Sequence, residues 1–192
     1  MDNWTLSRKQ FITTLMLGGI ATQLPWLTGC AAQEPIPSDL SPLDQEAFLN
    51  LRALLLVLFP EDDNGPSALD VNADRFILWV LNDSELDPNE NQYIIDKLEK
   101  LQALSVEEEG RGYHACDHDI REDLVERAIE LGWGKRFFSR LLTLTFEALL
   151  LHPIYGGNPN EVGWLWLEHN PGQPRATTTL SYPEILKKKD EV

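Results

Sequence analysis

The chain has 192 residues and a formal net charge of −15, from 31 acidic and 16 basic side chains. Setting aside the first 30 residues, which hold Asp2, Arg8 and Lys9, leaves a body one unit more negative, whose charge would repel nucleic acid and anionic lipid. Two cysteines are too few for a disulfide framework, and about 160 residues bury roughly 70% of their unfolded surface without such staples.

Residues 1–30 read as an export signal: a polar start with Arg8 and Lys9, an apolar run over about 11–21, and a short approach to Cys30. The run falls short of the roughly 20 apolar residues that a membrane span needs. Leu27-Thr28-Gly29-Cys30 resembles a bacterial lipobox, in which the cysteine is lipidated and becomes the new N-terminus. Each buried methylene is worth about 0.8 kcal/mol, so two or more acyl chains would hold the protein on a membrane. The competing reading makes Cys30 an ordinary small residue after the signal. Ser7-Arg8-Lys9-Gln10-Phe11 resembles a twin-arginine signal, which exports proteins already folded, with Arg8, Lys9 and Phe11 as its marks. Lys9 stands where that pattern has a second arginine, and the two residues are not interchangeable where a planar fork is read. The general secretory route is the alternative.

Residues 31–40, with Pro35 and Pro37 and no apolar period, predict an extended tether. Residues 41–186 then predict a helical domain, and 187–192 a charged tail. Ser41-Pro42-Leu43-Asp44 gives a helix start with Ser41 as the cap. Ala47, Leu51, Leu54 and Leu58, widened by Phe48 and Leu55, form its inner face, and Phe59-Pro60 ends it. An acidic loop over 61–66 has a partial likeness to a calcium loop, but the ligand spacing does not fit. A second helix is predicted over about 69–81, and Asp87-Pro88-Asn89-Glu90 caps a third with Ile94, Leu98 and Leu101 inward.

From Ser105 to Asp119 the helical pattern is read as broken. His114, Cys116 and His118 recur at every second position, so in an extended strand they would share a face and, with Asp119, could hold zinc or copper. The competing reading is a polar loop with a helix cap at Asp119 and Glu122; the other histidines, His152 and His169, lie far along the chain. A fourth helix carries Ile120, Leu124, Ala128 and Leu131 and stops at Gly132. The fifth, about 135–151, is apolar on nearly all sides and is expected at the centre of the bundle. The fold class is therefore all-α: a single bundle of about five helices with an irregular Gly/Pro/aromatic C-terminal segment.

That segment is His152-Pro153-Ile154-Tyr155-Gly156-Gly157-Asn158, followed by Gly163-Trp164 and Pro171-Gly172. Two readings stand for it. Tyr155, Trp164 and Trp166 are lids over the domain's own core, with Gly156-Gly157 as a turn needing positive φ, or they are anchors for a partner. No phosphate-binding glycine loop, G-x-S-x-G, H-E-x-x-H or C-x-x-C-H occurs.

Together, the first helix ending at Phe59-Pro60, the acidic loop through Gly65-Pro66-Ser67-Ala68 and above all the C-terminal motif resemble the gluconate 2-dehydrogenase subunit 3 family. These are small subunits of bacterial membrane-bound flavin dehydrogenases. The resemblance implies a non-catalytic periplasmic accessory subunit that binds no cofactor itself. Its partner would be a large FAD-binding subunit of the glucose-methanol-choline type, oxidising a sugar, sugar acid or other alcohol, with electrons passing to a cytochrome c subunit or the quinone pool. The small subunit would escort the folded flavoprotein through export and stabilise it. Tyr155, Gly156, Gly157, Asn158, Gly163 and Trp164 are then the expected partner interface. The alternative is an envelope lipoprotein with a structural role, or a metal-binding one through His114, Cys116 and His118, and no dehydrogenase partner.

Overall fold

In the computed structural model, which describes residues 37–62, 65–177, 180–182 and 184–185, the first helix is α1 (Gln45–Leu58). Its cap is Asp44, whose carboxylate accepts a 2.7 Å hydrogen bond from the N–H of Ala47. Ser41, the expected cap, lies three residues too early. The aspartate satisfies one of the free N–H groups of the first turn, and its charge suits the positive end of the helix dipole. Phe48, Leu51, Leu54 and Leu55 are buried, as their spacing predicts, and Ala47 and Leu58 pack at the edge of the same core.

The second helix, α2 (Ala73–Leu81), is shorter at its start than expected. Residues 68–72 turn before it, and Asn72 takes a left-handed φ of 54° that a helix cannot contain. Asp74 in its first turn is buried and sits 3.5 Å from the Arg52 guanidinium of α1. Desolvation pushes the Asp74 carboxyl above its ordinary pKa, and the attraction of Arg52 offsets only part of that.

The third helix, α3 (Pro88–Glu109), starts as predicted, with Asp87 accepting from the N–H of Asn89 and Pro88 in first position. It runs through Ser105 to Glu109, correcting the expected break at Ser105. Glutamates are good helix formers on an exposed face, and the chain stops at Gly110, which adopts a φ of 69° at the cap. A single turn of 3-10 helix, Tyr113–Ala115, leads to α4 (His118–Glu130), whose cap position is Asp117, ahead of the expected Asp119 and Glu122. Gly132 then ends that helix region with a φ of 80°.

The fifth helix, α5 (Gly134–Leu150), begins where α4 comes so close that a Cβ on Gly134 would lie 2.8 Å from the Ala128 carbonyl carbon. It is buried along one broad face, from Phe137 and Phe138 to Ala148 and Leu149. It is not buried on all sides, however: Phe146 and Leu150 are each 47% exposed. Two helices reach all the other long ones: α1 packs on α2, α3, α4 and α5, and α5 packs on α1, α2 and α4 and is tied to α3 through Arg136, 2.9 Å from Glu90. A sixth helix, α6 (Val162–Trp166), lies in the segment expected to be irregular and packs on α5. Among the described residues the architecture is thus all-α, with no strand beyond one isolated bridge between Asp62 and Gly65. Leu40, assigned to the tether, packs against this core.

A candidate docking surface around the C-terminal motif

The side chains of the polar pattern at 114–118 are divided among different neighbours. His114 donates its backbone N–H to Asn50 Oδ1 at 2.9 Å, and its ring Nδ1 lies 3.0 Å from the same oxygen. Cys116 is buried against the Ser105 hydroxyl at 3.4 Å, and His118 opens α4, 3.5 Å from Glu122. The 3-10 turn replaces the strand that would have aligned the three side chains, so each goes to a different neighbour. Among the described residues no group of three His, Cys, Asp or Glu side chains is placed to hold a metal. Sequence reading missed what Asn50 does here. It also donates to Gln102 Oε1, which accepts from the N–H of Tyr113, tying α1, α3 and the turn together.

The C-terminal motif is built onto the end of α5. His152 Nδ1 accepts from the N–H of Ile154 to start the 3-10 turn Pro153–Tyr155, and Gly156 closes it at a φ of 91°. Gly157 is needed for close approach instead, because an added Cβ there would be 2.6 Å from the Ala148 carbonyl oxygen of α5. Asn158 is fully buried and holds four partners, one of them the N–H of Glu161, which donates to its carbonyl at 3.0 Å. Its N–H donates to Val71 O at 2.9 Å, its Nδ2 to Leu151 O at 3.2 Å, and its Oδ1 accepts from the N–H of Gly163 at 2.7 Å. Gly163 in turn rests on the Leu149 carbonyl, where a Cβ would have 2.3 Å. That closeness lets Trp164 reach inward. It is 4% exposed, its indole N–H donates to Leu150 O at 2.7 Å, and the Arg175 guanidinium lies 5.0 Å over its ring.

Gly157, Asn158, Gly163 and Trp164 therefore make their contacts inside this chain. Tyr155 is half-buried, 6.1 Å from the Trp79 ring, and its hydroxyl accepts from the N–H of Tyr182. Gly156 is exposed. The aromatic surface lies beside these residues. Trp166, 39% exposed, meets the Phe59 ring edge-on at 6.4 Å, and Phe59 meets Phe146 at 5.9 Å. Leu150 follows Phe146 by one turn of α5, and Leu165 is 72% exposed. One signal for this surface was in the sequence: Val162 to Leu167 is apolar apart from Gly163, and a helix so short cannot turn all of it inward.

Residues 44–172 match the sequence profile of a family described as gluconate 2-dehydrogenase subunit 3. The chain belongs to this family. A gluconate 2-dehydrogenase subunit 3 protein is an accessory subunit of an oxidoreductase complex and associates with its dehydrogenase subunits. The matched span includes both halves of the C-terminal motif and every member of the aromatic surface. No curated protein and no solved structure matches the chain. Arg8, Lys9, Phe11 and Cys30 lie outside the described residues, as do Asp63 and Asn64 of the acidic loop and the tail 187–192.

Proposed function

We propose that this chain is the non-catalytic small subunit of a periplasmic, membrane-associated, FAD-dependent dehydrogenase acting on a sugar, sugar acid or alcohol. It escorts the flavin-loaded catalytic subunit through export and stabilises it afterwards, held to the membrane by a lipid on Cys30. The family match over residues 44–172 carries this reading. Two features of the chain support it. The side chains that looked most reactive, His114 and Cys116, are occupied in holding the fold. The first 30 residues resemble, except at Lys9, a signal for folded cargo, and a partner that must load flavin before export needs such a route. FAD belongs to the partner in this reading, and electrons leave it for a cytochrome c subunit or the quinone pool.

Co-expression with the dehydrogenase subunit of its own complex tests the proposal. The two chains should co-purify after gentle extraction, and removing residues 1–30 should leave both in the cytoplasm with flavin bound. A catalytic subunit that reaches the periplasm at the usual level without this chain would sink the escort role. Substitution of Cys30 by Ser should release the complex from the membrane fraction; retention there would refute the lipid anchor.

A further inference from the structure

The family relationship says that a dehydrogenase subunit is bound, and leaves open where. We infer that it docks on the patch formed by Phe59, Phe146, Leu150 and Trp166, with the exposed Leu165 and Leu167 flanking Trp166 in the chain, beside the buried motif; this rests on the accessory-subunit reading. Grouped exposure of large apolar side chains marks contact surfaces, whereas single exposed ones need no explanation. Here the grouping is fixed by the fold. The Trp166, Phe59 and Phe146 rings stand in a row with consecutive edge contacts. Gly65 backs onto the indole so closely that a Cβ there would lie 2.5 Å from its ring carbons. Trp164, locked inward, holds the short helix that turns Leu165 and Trp166 out. A partner meets a surface already in place, so little ordering entropy opposes binding.

Charge selects among the occupants. Exposed carboxylates adjoin the patch in the chain: Glu61 and Asp62 on the loop that carries Gly65, and Glu168 next to Leu167. An anionic lipid surface is repelled by such a rim. A second copy docking face to face would set each carboxylate against those of its mate, because a two-fold contact pairs a patch with itself. The fitting occupant is an apolar face edged with lysine or arginine, and we assign it to the dehydrogenase subunit. The apolar side chains would form the dry centre of that interface and the carboxylates its polar rim.

The full chain and its dehydrogenase subunit, purified separately, allow the test by sedimentation. Leu165→Asp and Trp166→Ala should each weaken the complex by about 10-fold or more, as central anchors do. Ile129→Asp, on the exposed side of α4, should leave it unchanged. Melting temperatures of the free variants show whether each still folds, and Leu165→Asp changes a side chain that touches little. Wild-type affinity in folded Leu165→Asp and Trp166→Ala overturns the assignment while sparing the subunit reading. Absence of binding by the wild-type chain overturns both. Self-association that Leu165→Asp abolishes would give the patch to a second copy, and flotation with phosphatidylglycerol vesicles that Trp166→Ala abolishes would give it to the membrane; either result also overturns the assignment.

Discussion

The turn carrying Tyr113, His114 and Cys116 and the segment carrying Tyr155, Asn158 and, on the short α6, Trp164 are built alike. Each follows a long helix with a 3-10 turn, and each buries an aromatic side chain whose polar atom donates to a carbonyl. Tyr113 donates its hydroxyl to Arg121 O at 3.3 Å, and Trp164 its indole N–H to Leu150 O at 2.7 Å. Each also has a buried amide at its centre, Asn50 in the first and Asn158 in the second. They differ in what they leave outside. The first leaves Arg111, Asp117, His118 and Asp119 at the surface, side chains that water satisfies. The second leaves Leu165, Trp166 and Leu167, which water does not. Residue types that could do chemistry therefore mark a structural joint in one place, and a buried anchor marks the neighbour of a contact surface in the other.

The comparison breaks first at Trp164. If it is an internal anchor, Trp164→Ala should cost the isolated chain about 3–5 kcal/mol in urea unfolding, as other buried large aromatics do. A loss below about 1 kcal/mol would make it an outward contact after all. Asn158 gives a smaller and more divisible effect. Asn158→Ala strands the N–H of Gly163 and the carbonyl of Leu151, and places alanine at a φ of 50°. The two effects together predict about 2–4 kcal/mol. Asn158→Gly loses the same hydrogen bonds but accepts the left-handed backbone, so it should be the milder of the two by about 1 kcal/mol. Equal losses would mean that the backbone conformation carries no cost there.

Helix positions were legible because apolar spacing and caps are local. Asp87-Pro88 and Gly132 acted where they stand in the sequence, and Phe48, Leu51 and Leu54 went inward together. Other features were settled by the folded surroundings. Asp44 took the cap from Ser41, and α3 ran on to Gly110, because an acidic stretch on an exposed face does not break a helix. The apolar count of α5 did not show that Phe146 and Leu150 fall outside its buried arc. Composition left the motif open between a lid and a contact. Gly157 and Gly163 decide for a lid at Trp164, since their contacts with α5 carbonyls exist only once the segment folds back. Neither the Asn50–Gln102 pair nor the contact of Trp166 with Phe59 could be read from spacing, since each joins residues far apart in sequence.

The smallest effect at neutral pH belongs to Tyr113, and pH enlarges it. The side chain is fully buried, and desolvation raises the phenol above its ordinary value, with the nearby Arg121 offsetting only part. A group whose pKa is higher folded than unfolded contributes its full stability below the unfolded value, about 10 for tyrosine. As pH rises past that value the unfolded chain ionises and the folded one does not, so the contribution is lost. Tyr113→Phe removes one long hydrogen bond to Arg121 O and should cost about 1 kcal/mol or less at pH 7. Above a pH of about 10 the gap between wild type and variant should close and then reverse, because phenylalanine has no proton to lose. Urea unfolding over a series from pH 7 to about pH 11 measures this. A gap that stays constant over the series would mean that the hydroxyl meets solvent in the folded chain, and the first joint would then be more open than the second.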